Sequence, residues 1–217
     1  MNLPKKLSST PRVASVQRYA EADVPTERGM LRMVVYREPI EGAPADTKEH
    51  VALIVGRPEN AEGPVLARMH SECLTSEVFG SLKCDCRDQL DAALDRCFDK
   101  GVGVVLYLRQ EGRGIGLGNK SRAYALQSEG ADTVQANHQL GFDTDLRRYD
   151  VAADMFLDLQ VKSVRLMTNN PDKVAQLEDY GVKVEGREPH QTPANIHSRK
   201  YMATKREKCG HFIRPID

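Results

Sequence analysis

Apolar runs of strand length alternate with stretches of helical periodicity through the middle of this chain, and that alternation constrains its fold more than any other feature. HVALIVG (50–56), VGVVLYLRQ (102–110) and SVRLMT (163–168) are short, β-branched and apolar, the pattern of strands buried on both faces. PVLARMH (64–70) alternates weakly and reads as a strand running into a polar segment, and KVEGRE (183–188) closes the series. Leu90, Ala93, Leu94 and Cys97 recur at helical spacing, so 87–99 is an amphipathic helix that Gly101 ends. Asn119 to Gln127 reads as a helix stopped by Gly130, and Asp150 caps another carrying Val151, Ala152, Met155, Phe156 and Leu159. Asn170, Pro171, Val174, Leu177 and Gly181 form a complete start-to-stop helix signal. The expected class is α/β in the mixed, α+β sense: a single domain with a mixed sheet flanked by helices. That domain is placed at 16–189, between an N-terminal arm (1–15) and a basic C-terminal arm (190–217). The Pro-, Gly- and charge-rich stretches 39–50 and 56–64 read as loops.

With 217 residues the chain can bury one sizeable core. Lys plus Arg equals Asp plus Glu, 31 each. The basic excess of a duplex-binding protein is therefore missing, and any phosphate-binding cations must be gathered locally. No apolar run approaches a membrane span, and MNLPKKLSST lacks the apolar stretch of a secretory signal. The expectation is a cytoplasmic protein with neither membrane nor nucleic acid as partner. Five cysteines without a disulfide-like framework point to metal binding or catalysis.

Cys73, Cys84 and Cys86 are spaced C-x10-C-x-C. Zinc takes soft thiolate ligands, and three of them leave the fourth corner open for water. His70 lies close enough in sequence to close the site as a structural one, and that alternative stays open, as does plain core packing of the cysteines. Glu72, beside Cys73, is placed to shuttle protons for a water whose pKa zinc lowers to about 7. The zinc nucleobase deaminases also combine His-x-Glu with cysteines, but they need P-C-x-x-C, and no C-x-x-C occurs here. Cys97 sits on the apolar face of its helix and reads as core.

R-Q-E-G-R-G-I-G-L-G-N-K (109–120) follows a strand and precedes a helix. Its glycines let backbone approach a ligand closely, although the same residues would make an ordinary turn. Around them Glu111 can accept the N–H donors on the pyrimidine edge of guanine, and Arg113 can hold phosphate in a fork. The polar stretch 132–150, dense in Asn, His, Gln, Asp and Arg, reads either as a solvated loop or as the lip of a site. T-N-N-P-D-K (168–173) brings a strand end and a helix N-terminus together, which favours anions.

Taken together, R-x-H-S-E-C-L-T-S-E-x-F-G-S-L-K-C-D-C-R-D-Q-L, R-Q-E-G-R-G-I-G-L and D-T-V-Q-A-N-H-Q-L-G-F-x-x-D-x-R-x-Y resemble the GTP cyclohydrolase II family, from about residue 50 to about 185, with a weaker match at K-x-x-K-C-G-H in the tail. The resemblance implies zinc, one per chain, on Cys73, Cys84 and Cys86. It implies a GTP site lined by Arg68, Met69, His70, Ser71, Glu72, Gln89, Glu111, Gly112, Arg113, Thr133, Thr168 and Lys173. Asp145 matches the family's proton acceptor and Arg147 its nucleophile toward the α-phosphate; electrostatic help to that phosphate is the alternative role for an arginine. Tyr124 matches the tyrosine of the family's complete hydrolases. The implied reaction opens the guanine ring and releases formate and pyrophosphate, with magnesium on the triphosphate, in riboflavin synthesis. The implied assembly is a homodimer of the stand-alone form. A formyl-retaining cyclohydrolase, a zinc deaminase and a GTP-binding module without turnover are the rival readings.

Overall fold

The computed structural model describes residues 15–40, 43–208 and 210–214; the N-terminal arm up to residue 14, and Cys209, lie outside them. Three long strands come first, β1 (Gln17–Thr26), β2 (Gly29–Ile40) and β3 (Ala43–Val55), paired antiparallel in sequence order. Most of the stretch 39–50, read from sequence as a loop, is therefore strand. β4 (Val65–Ser71), β5 (Gly103–Leu108), β6 (Val164–Met167) and β7 (Val184–Glu188) complete a seven-stranded mixed sheet in the order β1-β2-β3-β5-β4-β6-β7. β3 meets β5 antiparallel, whereas β5, β4, β6 and β7 run parallel.

The helices are α1 (Leu74–Glu77), α2 (Cys86–Lys100), α3 (Gly116–Ser128), α4 (Thr133–Gln139), α5 (Asp150–Asp158), α6 (Pro171–Asp179) and α7 (Arg199–Lys208). Strand periodicity sends successive side chains to opposite faces, and both faces are covered. Val104, Leu106 and Leu108 of β5, with Val65, Ala67 and Met69 of β4, pack under Val151, Ala152, Met155 and Phe156 of α5. Val105 and Leu66 point the other way, to Ala93, Leu94 and Cys97 of α2. Cys97 is core, as its position on the helix foretold, and burial pushes its thiol up to about 12. α2 can lie this close to β5 because position 103 is glycine: a Cβ there would stand 2.4 Å from Cys97 Sγ. Gly101 ends α2 in the left-handed conformation, φ 72°. Asn170 caps α6 by accepting from Asp172 N at 3.0 Å, with Pro171 in its first turn. The cap residue of α5 is Tyr149, with Asp150 the next residue along, inside the first turn.

Residues beyond 189 fold back on this framework. His190, Thr192, Ser198, Met202 and Thr204 are buried, and α7 packs against α4.

Candidate active site

The β4–α2–β5 connection leads to one side of β4, and the chain then returns through α5 to β6 on the other side, with α2 and α5 on opposite faces. In open α/β sheets such a reversal leaves a crevice beyond the carboxyl ends of the strands. Three of the four polar sequence segments singled out above begin there: Ser71-Glu72-Cys73 after β4, Arg109 to Gly114 after β5, and Thr168 to Lys173 after β6. The fourth, 132–150, lies against them through Leu146 N, which donates to Arg113 O at 3.0 Å. Gly114 gives this contact its room, while Gly112 does the same for Lys120 and Ile115. Both have positive φ, 93° and 64°, and a Cβ at Gly114 would stand 3.1 Å from Leu146.

Cys73, Cys84 and Cys86 converge, their sulfurs all within 4.8 Å of one another, and Cys73 and Cys84 are 3.6 Å apart as free thiols. Tetrahedral zinc–sulfur bonds of ~2.3 Å put sulfurs about 3.8 Å apart, close to the Cys73–Cys84 separation, so the three thiols are a donor set that fits such an ion. Lys120 supports the charge: its Nζ donates to Cys73 Sγ at 3.1 Å and to Glu111 Oε1 at 2.7 Å. Hydrogen bonds from the neighbouring thiols, chiefly Cys84, pull Cys73 far below the ordinary thiol range, and Lys120 adds to this. His70 does not close the site. Its Nε2 pairs with Glu77 Oε1 at 2.7 Å, Glu77 also accepts from the Tyr107 hydroxyl at 2.5 Å, and burial keeps the imidazole neutral by depressing its pKa.

The cleft beside the thiols is lined by Glu72, Glu111, Tyr124, Thr133 and Asn137 among others. Burial raises Glu72 above the ordinary carboxylate range although Arg109 Nε donates to it at 2.9 Å. Tyr124 lies over the thiol cluster through Thr75, its hydroxyl 3.4 Å from Thr75 Oγ1, itself 3.7 Å from Cys73 Sγ. Burial pushes the phenol up to about 12, so it remains protonated.

A second cleft shares Ser71, Cys86, Arg113, Arg147 and Tyr201 with the first and is basic. Arg68 and Lys173 are buried in its wall, 7% and 5% exposed, and among the described residues neither has a carboxylate partner. Arg68 donates to Met167 O and to Gln89 Oε1, leaving its Nε without a partner; Lys173 Nζ donates to Met69 O at 3.0 Å. Burial lowers both cations, Arg68 to about 10 and Lys173 well below the usual range, and the neighbouring arginines lower Lys173 further. His70 Nδ1, Ser71 Oγ and Tyr149 OH are also buried without partners. A wall of unneutralised cations and unspent hydrogen-bonding atoms is built for a polyanion. Arg147 forks onto Asp145, with Nε at 2.8 Å and Nη2 at 2.5 Å. Burial alone would raise Asp145, but the hydrogen bonds and charge of Arg147 outweigh it and hold the carboxyl low; Arg147 in turn is held protonated despite its own burial.

Several residues expected at the substrate stand one step behind it. The Met69 side chain is in the core, at 1% exposure, and only its carbonyl serves the site, through Lys173. The Gln89 amide is spent between Arg68 and Asp85. Thr168 Oγ1 accepts from Asn170 N at 3.0 Å and shapes the turn before α6. Glu111 pairs with neither Arg109 nor Arg113: besides Lys120, its carboxylate accepts from Leu74 N and Gly112 N, each at 2.8 Å. It thereby braces the Cys73 turn. Lys120, Asp85 and Tyr149 belong to the site but carried no assignment from sequence. Thr133 lies at the start of α4, where Asp132 and Gln135 form a capping box.

Fold and site define the class: an α/β protein with a three-thiol cluster fit for a metal ion, opening onto a polyanion pocket at the carboxyl edge of its sheet. The model of the GTP cyclohydrolase II family matches residues 17–189. The chain is 51% identical over 202 residues to GTP cyclohydrolase-2 of Haemophilus influenzae, covering 93% of this chain and 91% of that one. It is 48% identical over 202 residues to GTP cyclohydrolase-2 of Pasteurella multocida, covering 90% of it. It is 49% identical over 198 residues to the riboflavin biosynthesis protein RibBA of Bacillus subtilis, where it spans 48% of the longer chain. The protein belongs to the GTP cyclohydrolase II family.

Proposed function

We propose that the protein hydrolyses GTP to 2,5-diamino-6-ribosylamino-4(3H)-pyrimidinone 5′-phosphate, formate and pyrophosphate, the first committed step of riboflavin synthesis. The observation that carries this reading is the shared wall of the two clefts. The thiol cluster and the polyanion pocket meet at Ser71, Cys86, Arg113 and Arg147, so one nucleotide can present its base to the first and its phosphates to the second.

The residues divide the work accordingly. Arg68, Arg113, Arg147 and Lys173 hold the triphosphate, and magnesium on it offsets the remaining charge. Arg147, kept protonated by its fork with Asp145, acts as a fixed positive charge on the α-phosphate during pyrophosphate release. A guanidinium in this state is a poor nucleophile, so the electrostatic role is favoured over the covalent one. Held by Cys73, Cys84 and Cys86, a zinc ion would supply activation of water at neutral pH. Glu72, with its raised pKa, is suited to pass protons at the base, with Asp145 as acceptor on the phosphate side. Tyr124 positions the deformylation step through its protonated phenol. Glu111, neutralised by Lys120, holds the Gly-rich loop against the thiol turn and offers its remaining acceptor capacity to guanine. Cytoplasmic location and a homodimer belong to the same reading on the strength of the family resemblance; among the described residues no helix is long and apolar enough to cross a membrane.

Incubation with GTP, followed by assays for formate, ammonia and pyrophosphate, tests the proposal. Formate and pyrophosphate without ammonia is the expected outcome. Ammonia would indicate a deaminase, pyrophosphate alone a formyl-retaining cyclohydrolase, and none of the three a binding module.

A further inference from the structure

The family match ends at residue 189, yet the basic cleft does not. Tyr201, Lys205, Gly210, His211 and Ile213 line it together with Arg68, Arg147 and Lys173. The segment is fastened there. Phe212 N donates to Asn169 O at 2.8 Å, in the turn before α6, and Arg214 N donates to Gln191 Oε1 at 2.8 Å. The Arg187 guanidinium lies 4.9 Å from the Phe212 ring centroid while donating to Thr168 O. None of these contacts takes up Lys205 Nζ or the His211 ring, and both residues line the cleft.

Lys205 lies over the Tyr201 ring at 4.4 Å and reaches Asp85 Oδ1 at 3.2 Å. Asp85 is buried between two of the thiols and also accepts from Gln89 and Thr192. Among the described residues, the carboxylates of Asp145 and Asp172 on this cavity, with Asp85 behind Lys205, face Arg68, Arg147, Lys173 and Lys205. Of these cations Arg68 and Lys173 have no carboxylate partner among the described residues. The same field appears at His211, whose imidazole is pushed down to about 3 by burial first and then by Lys205, Arg147 and Lys173. A bound polyphosphate reverses the sign of that field.

We propose that the C-terminal stretches 199–208 and 210–214 are the closing wall of the polyphosphate subsite, with Lys205 Nζ and the His211 ring contacting the phosphates of the nucleotide. The inference rests on the GTP reading above and adds to it a pair of substrate-contacting residues beyond the span that the family model matches, in the tail segment K-x-x-K-C-G-H. Because Lys205 also holds Asp85, the same lysine ties occupancy of the phosphate subsite to the loop that carries Cys84 and Cys86.

The test uses the full chain with its metal and calorimetric titration of inorganic tripolyphosphate and, separately, guanosine. In Lys205→Gln, tripolyphosphate affinity falls roughly ten-fold or more, the loss expected for one charge-assisted contact. Guanosine affinity and zinc content stay at wild-type values, and KM for GTP rises more than kcat falls. Lys205→Arg, which keeps the charge, restores most of the tripolyphosphate affinity, and His211→Gln weakens it several-fold in a protein whose Lys205–Asp85 pair is intact. If Lys205→Gln lowers zinc content or thermal stability while tripolyphosphate binds as in wild type, the lysine is only a structural partner of Asp85 and the proposal is overturned. Tripolyphosphate binding unchanged in His211→Gln as well removes the segment from the subsite. A wild type that releases formate from GTP while both variants bind tripolyphosphate normally overturns this inference alone; a wild type that binds neither guanosine nor GTP overturns the reading beneath it.

Discussion

Replacing Lys173 by Met separates ligand binding from folding at one buried atom. The ammonium is 5% exposed, has no carboxylate partner among the described residues, and makes one hydrogen bond, to Met69 O at 3.0 Å. Burial, then Arg68 and Arg147, depress its pKa well below the ordinary lysine range. Each unit of that depression costs the folded state about 1.4 kcal/mol wherever lysine would be charged in the unfolded chain. The cost is full below the depressed pKa and fades as pH rises toward about 10.4, where both states are neutral. Methionine removes the cost and nearly preserves the volume, at the expense of about 1 kcal/mol for the lost hydrogen bond. Ligand-free Lys173→Met should therefore be as stable as wild type or more so at neutral pH, by on the order of 1 kcal/mol in urea unfolding. It should also lose the rise of stability with pH that the wild type shows over that window. GTP should bind roughly ten- to hundred-fold more weakly, the equivalent of one charge-assisted contact of about 1.5–3 kcal/mol. A variant destabilised by more than about 2 kcal/mol that retains wild-type affinity for GTP would refute the reasoning, because Lys173 would then be a structural residue.

Cys84→Ser should abolish metal binding and formate release together, whereas Arg147→Ala should keep the metal, measured by atomic absorption, and lose pyrophosphate release by ~100-fold or more. Tyr124→Met should still consume GTP but accumulate the formylamino pyrimidine, seen as a product heavier by one formyl group in mass spectrometry. Glu111→Gln removes the carboxylate that pairs with Lys120 and braces Leu74; zinc affinity should drop along with GTP turnover, and unchanged metal retention under chelator challenge would show that the brace is unimportant.

Elements buried on both faces are the ones legible in the sequence. β5 and β6 are nearly unbroken apolar runs, and α2 and α6 carry their own stop and start residues, so their extents follow from local chemistry. β1 and β2 are not legible: β1 is exposed along almost its whole length, and β2 interleaves Arg32 and Arg37 with its buried positions and puts a carboxylate, Glu38, at one of them. Their identity as strands comes from pairing with β3, which is a non-local fact. The metal ligands are legible because one short segment carries all three. Lys120 and Asp85 are not, since a lysine 47 residues from Cys73 acquires its role only when α3 folds over the thiol turn. Met69 shows the opposite failure: a residue adjacent to Arg68 and His70 in sequence faces the other side of β4, and strand periodicity sends its side chain into the core.

The central claim is that this site opens the imidazole ring of guanine and expels its C8 carbon. GTP labelled with carbon-13 at C8, followed by NMR with the zinc-loaded protein, tests it directly. The account predicts that the label leaves the nucleotide and appears quantitatively as formate, one per GTP consumed. Label that stays in an intact guanine ring, or comes to rest in a formylamino group of the product, would contradict it.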